Sequence, residues 1–171
     1  MSRKVVWGAL VWASWMLASC GVSYSFTGAD IGNAKTISIQ TFVDDVGTGP
    51  TNLAIRFSEN LREFYQRNTS LSLVSDQPGD LQLDGAIVGY DLTPIAPQAG
   101  ATESAALNRL TIRIEANYVN TLDDTKDFQS TFSAYEDFPQ SQDLASVEQE
   151  LIETITDRII LDIFNKSVAN W

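Results

Sequence analysis

The side chains this sequence lacks limit its chemistry more sharply than those it carries. There is no histidine, so imidazole ligands and relays that pass a proton through His are excluded. Cys20 is the only cysteine. No intramolecular disulfide or thiolate cluster can form, and its sulfur stands alone as a nucleophile. Two acidic pairs, Asp44-Asp45 and Asp123-Asp124, are the remaining residues that could be offered as catalytic carboxylates or metal ligands. Each pair lies among turn formers, where aspartate serves local backbone hydrogen bonding, and neighbours in sequence do not converge on one site. The chain therefore reads as a non-enzyme that needs no cofactor or metal.

The surroundings of Cys20 point to a different use of its sulfur. Arg3 and Lys4 precede an uncharged, mostly apolar run from Val5 to Ser19, a short basic start and apolar segment of signal-peptide length. At ~1.5 Å per residue the run spans about 20 Å, less than the ~30 Å of hydrocarbon that a transmembrane helix must cross. It ends at Leu17-Ala-Ser-Cys20, which resembles the lipobox of bacterial lipoproteins: a branched apolar residue, two small residues that fit a narrow peptidase cleft, then the cysteine that receives lipid. On this reading residues 1–19 are a signal peptide and the covalent lipid on Cys20 is the only added group. The alternatives are a small buried cysteine and a secretory signal without lipidation. Gly21 follows, with no acidic cluster behind it. By resemblance to lipoprotein sorting rules this favours the outer membrane, with the protein on its periplasmic face.

The formal charge is −11. Eleven basic residues less Arg3 and Lys4 leave nine against twenty-two acids, a net −13 for the chain from Cys20 onward. So acidic a protein, without a basic run, is a poor match for nucleic acid, whose binding depends on neutralising phosphates. The length suits one domain with a real core.

Residues 20–34 read as a lipidated tether and 35–171 as a single α+β domain. From Lys35 to Val43 apolar and polar residues alternate, a strand. Asp44 to Pro50 is dense in turn formers. Leu53, Phe57, Leu61 and Phe64 or Tyr65 recur at helical spacing, with Thr51 or Asn52 near the cap and Asn68-Thr-Ser at the end. Short strand character returns over 71–74 and alternation over 81–90, where Gly85 and Gly89 suggest a bulge or a close backbone approach. Residues 94–106 form a long loop of small residues. A hairpin follows, with strands over 110–118 and 128–135. Val147, Leu151, Ile155, Ile159 and Ile163 then step by four along a second helix, with Ser146 and Gln149 spaced as a capping box. Amphipathic helices and a one-sided sheet can bury their apolar faces only against each other. The expectation is a two-layer sandwich: two helices on one face of a four- to five-stranded, mostly antiparallel sheet, in the order β-α-β-β-β-β-α. Its other face, carrying Thr111, Arg113, Glu115 and Asn117, stays polar and open.

Several stretches together resemble the lipopolysaccharide-assembly lipoprotein family LptE. They are Tyr24-Ser-Phe-Thr-Gly28, Thr36-Ile-Ser-Ile39, Leu81 through Pro94, Ala106-Leu-Asn-Arg-Leu-Thr-Ile112, Ser141-Gln-Asp-Leu144, Asp162-Ile-Phe-Asn-Lys166 and Asn170-Trp171. No single motif is diagnostic; their order and spacing carry the resemblance. It implies an outer-membrane lipoprotein that plugs the β-barrel protein LptD, assists its assembly and helps insert lipopolysaccharide into the outer leaflet. It also implies lipopolysaccharide contact through basic residues, for which Arg109 and Arg113 are the matching positions; the competing reading is a loop hydrogen bond for Arg109 and a solvated strand charge for Arg113. Trp171 packs back on the core or meets the barrel wall. The alternative function is a stand-alone periplasmic binding or other envelope-assembly lipoprotein.

Overall fold

Leu53, Phe57, Leu61 and Tyr65 are all buried along one side of helix α1, Leu53–Asn68, in a computed structural model that describes residues 31–95 and 106–168. Asn52 stands at its start as expected, although its side chain makes no capping bond. The end is closed by side chains: Asn68 Nδ2 donates to the Phe64 carbonyl at 2.8 Å and Thr69 Oγ1 to that of Tyr65 at 2.8 Å. The Tyr65 carbonyl also accepts the Thr69 N–H at 3.0 Å, so the side-chain bonds reinforce the last turn. In helix α2, Leu144–Val168, the four-residue step buries Leu151, Ile155, Ile159 and Ile163. This helix starts two residues before the expected capping box. Ser146 already lies inside it and donates to the Asp143 carbonyl at 2.6 Å, while Gln149 reaches forward to Glu153. The helices run side by side in the same direction, joined by Arg56–Glu153 at 3.0 Å near their starts and by the buried Tyr65–Ser167 hydroxyl pair near their ends.

Both helices cover one face of a six-stranded sheet. The strands are β1 (Thr36–Ile39), β2 (Val43–Asp44), β3 (Ser72–Leu73), β4 (Leu81–Ile95), β5 (Leu107–Asn120) and β6 (Phe128–Pro139). The two-layer α+β expectation is met, but the sheet is mixed. β4-β5-β6 is antiparallel, whereas β1 is parallel to both β3 and β4, and β2 is parallel to β4. The order is β3-β1-β4-β5-β6, with β2 following β1 along the same edge of β4. The expectation of four to five mostly antiparallel strands in the order β-α-β-β-β-β-α is thus corrected to a mixed six-stranded sheet in the order β-β-α-β-β-β-β-α. β4 also runs through Pro94 to Ile95, so the expected loop is shorter and falls mostly outside the described residues.

Two glycines explain the path of β4. A Cβ on Gly85 would lie 2.5 Å from Phe42 Cε1 and run into the Glu115 carbonyl. The missing side chain therefore admits the Phe42 ring, which packs edge-on against Phe57 with centroids 5.1 Å apart. Gly89 closes a register shift that begins at Ile87. The shift lets Tyr90 take the helix-facing side, where its hydroxyl donates to Glu148 of α2 at 2.6 Å.

Asp80 ties the start of the fold together. Its Oδ2 accepts from the backbone N–H of Lys35 at 2.9 Å and Thr36 at 3.0 Å, and its carbonyl accepts from Thr121 N–H at 2.9 Å. The bonds from Lys35 and Thr36 hold its carboxyl below the ordinary 3.8, the Lys35 bond contributing most. A carboxyl whose folded value is depressed adds stability that is complete above the unfolded-chain value and lost as pH falls through the folded one. An Asp80→Ala variant is accordingly expected to melt lower than the wild type at neutral pH. Thermal melts as a function of pH should show the gap narrowing once pH drops below 3.8. A gap that does not narrow as pH falls would show that the carboxylate charge is not what matters.

Candidate functional site

Alternation along β5 sends Leu110, Ile112, Ile114 and Ala116 into the core and leaves Arg109, Thr111, Arg113, Glu115 and Asn117 half-buried on the opposite face. No described helix covers that face. Its neighbours follow from register: Arg109 stands opposite Asp137 of β6, and Arg113 opposite Gly89 of β4 with Asp91 close by.

Neither arginine is left open. Arg109 makes a two-pronged bond to Asp137, Nε to Oδ1 at 2.7 Å and Nη2 to Oδ2 at 2.9 Å, and its guanidinium lies 3.7 Å above the Tyr135 ring. Such planar pairing fixes geometry as well as charge. It holds the Asp137 carboxyl below its usual range and raises the guanidinium further. Arg113 Nη1 lies 2.8 Å from Asp91 Oδ2, and its guanidinium fills the space above Gly89, where a Cβ would stand 2.6 Å from it. Arg109 therefore pairs across the sheet rather than within the loop, and Arg113 is a paired strand charge. Sequence reading missed Asp91, Asp137 and Tyr135 as their partners. The available signal was Gly89, already marked as a place of close approach.

The rest of the face is uncharged or acidic. Gln129 donates to Glu115, and Asn117 Nδ2 to Asp84 at 3.3 Å. A notch of about 570 Å³ near β1, lined in part by Ser38, Gln40, Thr41, Arg62 and Asp76, sets Arg62 in place through bonds to the Ile39 carbonyl at 3.0 Å and Thr41 Oγ1 at 2.9 Å. The acidic pairs do turn work: Asp44 Oδ1 accepts from Val46 and Gly47 N–H, each at 3.0 Å, and Asp123 Oδ1 from Thr125. Among the described residues no three acidic, cysteine or histidine side chains gather to hold a metal, and no helix is long and apolar enough to cross a membrane. Cys20 and Trp171 lie outside the described residues.

The arrangement is thus a polar sheet face whose two arginines are paired and whose remaining charges, Glu115 and Asp84, are acidic. Three solved structures have a similar fold. The minor lipoprotein from Acinetobacter baumannii is 11% identical with a TM-score of 0.50, covering 78% of this chain and 91% of its own. Uncharacterized lipoprotein B from Nitrosomonas europaea is 12% identical with a TM-score of 0.50, covering 85% and 88%. A putative neuraminyllactose-binding hemagglutinin homolog from Helicobacter pylori is 11% identical with a TM-score of 0.51, covering 86% and 89%. At such identities these proteins share the architecture alone, and one architecture serves many functions. No curated protein sequence matches the chain. The family model described as "LptE: Lipopolysaccharide-assembly" matches residues 34–167, which takes in every strand and nearly all of both helices, and the chain belongs to that family.

Proposed function

We propose that this protein is an outer-membrane lipoprotein, acylated at Cys20 and held on the periplasmic face, that plugs an LptD-type β-barrel and assists its assembly for lipopolysaccharide insertion. The observation that carries the reading is the family match over residues 34–167. The geometry supports it in two ways. First, the free sheet face is polar and both of its arginines are paired with carboxylates, which suits a barrel lumen that is itself polar. Second, the chain from the tether enters the sheet at Lys35 and Thr36, bound to Asp80 beside Thr121. That end is one length of β4, roughly 45 Å at ~3.3 Å per residue, from the end where β4 and β5 are connected. A lipid at Cys20 would therefore be joined, through residues 20–34, to the β5–β6 turn end of the sheet.

Arg109 and Arg113 are the positions proposed for lipopolysaccharide contact. Each is already neutralised by a carboxylate, so a phosphate has to displace Asp137 or Asp91 to reach it, and the chain's acidity opposes that exchange. Plugging the barrel is therefore the main role and direct lipid A binding a minor one.

Isolation of the tagged protein from membranes in mild detergent tests the reading. An LptD-type barrel is expected to accompany it in constant proportion. Repeated isolation without the barrel, from cells that contain it, would leave a stand-alone periplasmic or other envelope-assembly lipoprotein as the better account.

A further inference from the structure

The edges of the sheet are unequal. β3 ends one side with two residues. The part of β4 beyond β2 is guarded by Thr48, whose hydroxyl donates to the Tyr90 carbonyl at 3.4 Å, and by Pro94, which has no N–H to offer. β6 closes the other side, and it is twelve residues long.

Its outward groups follow from the ladder. Gln140 N–H donates to the Ala106 carbonyl at 2.9 Å, so that pair is hydrogen-bonded and the alternation of an antiparallel ladder assigns the rest. The even-numbered residues of β6 bond to β5; Gln129, Thr131, Ser133, Tyr135 and Asp137 point their N–H and C=O groups away from it. Arg158 Nη1, which donates to the Tyr135 carbonyl at 2.9 Å, agrees with that assignment. The other outward groups of these five residues have no hydrogen-bond partner among the described residues. The side chains beside them are exposed and uncharged from Gln129 through Tyr135, on a chain of net charge −11. Proteins blunt edges of this length with proline, lysine or a bulge, and residues 129–137 contain none of these.

We propose that the outer edge of β6 receives an extended segment of the barrel partner, which adds to the sheet as a seventh strand. The inference rests on the proposed partnership and names the part of this protein that carries it. A row of unpaired backbone groups recognises a strand of almost any sequence, and the pockets beside it select side chains. The added segment comes from a loop or terminus of the partner, because the wall of a closed barrel has no free edge. A second copy of this chain is a poorer occupant. It would bring a second chain of net −13 from Cys20 onward and set two copies of Arg158 and Lys166, which flank β6 from α2, against each other.

The test compares free protein with the detergent-isolated complex by residue-resolved amide exchange. The N–H groups of Gln129, Thr131, Ser133, Tyr135 and Asp137 are expected to exchange quickly in the free protein and about 100-fold more slowly in the complex, whereas their even-numbered neighbours exchange slowly in both. Thr131→Pro removes an N–H that bonds nothing among the described residues, and is expected to lower recovery of the barrel about tenfold with little change in melting temperature. A complex that forms with unaltered exchange at these positions overturns the inference and leaves the partnership standing. Odd-numbered amides already protected in a free protein of dimeric mass identify a second copy as the occupant and also overturn it. Absence of any barrel with the wild type removes the partnership and this edge together. If Thr131→Pro does not fold, the exchange comparison on the wild type decides alone.

Discussion

Replacing Gly85 with alanine is expected to cost the fold about 3 kcal/mol or more, the upper range for overpacking a filled core. The new methyl group would run into the Glu115 carbonyl and stand 2.5 Å from Phe42 Cε1 and 3.1 Å from the Ala116 Cα. Two of the three obstacles are backbone of β5, which cannot move without opening the β4–β5 ladder. The Phe42 ring cannot retreat either. It is 2% exposed and wedged against Phe57, and its own N–H is held by the buried Ser58 hydroxyl at 2.9 Å. Gly89→Ala provides the control. There the three atoms nearest the added carbon all belong to the Arg113 guanidinium, the far end of a flexible and half-exposed side chain, so a much smaller loss follows. Urea unfolding of both variants measures the contrast. Equal stabilities would mean that the Phe42 wedge contributes nothing.

Cys20→Ser is expected to move nearly all of the protein from the membrane fraction to the soluble periplasmic fraction. Serine keeps the size of the residue but not the sulfur to which lipid attaches. Each methylene buried in the bilayer is worth ~0.8 kcal/mol, and one acyl chain already binds marginally, so several chains make attachment effectively permanent and their absence removes it. Fractionation with mass spectrometry of the wild type checks both halves. A bare thiol on Cys20 of the wild type would end the lipoprotein reading. Recovery of the barrel should also fall in the variant, because tethering raises the effective concentration of one partner near the other. A barrel recovered in full would show that docking does not depend on the anchor.

These expectations draw unequally on what could be read without a structure. The two helices were legible because burial in a helix imposes a spacing on neighbouring residues: Leu53, Phe57, Leu61 and Tyr65 in one, Leu151 to Ile163 in the other. The long β5 was legible because alternation is equally local. β2 was not, since two residues become a strand only by lying along β4. The parallel pairing of β1 with β4 was hidden for a similar reason: the partners are more than forty residues apart in sequence, Ile37 against Leu81, and nothing in either segment states its direction relative to the other. The capping box at Ser146 and Gln149 satisfied the sequence rule, yet the helix began earlier, at Leu144.

The candidate site divides along the same line. Composition alone excluded imidazole and multi-thiol chemistry and isolated Cys20 as the one sulfur, because such exclusions need only a count. Alternation alone placed Arg109 and Arg113 with Thr111 on a polar face, because side chains on a strand change sides at every residue. Whether those arginines were free depended on register. The bidentate pair of Arg109 with Asp137 spans 28 residues, and Arg113 finds Asp91 across a bulge that shifts β4 by one position. That β6 has no strand on its outer side among the described residues likewise became visible only from the whole sheet. Periodicity is a property of neighbours along the chain, and so it survives in the sequence. Pairing, direction and the residue left without a partner are properties of the whole sheet, and only the folded protein decides them.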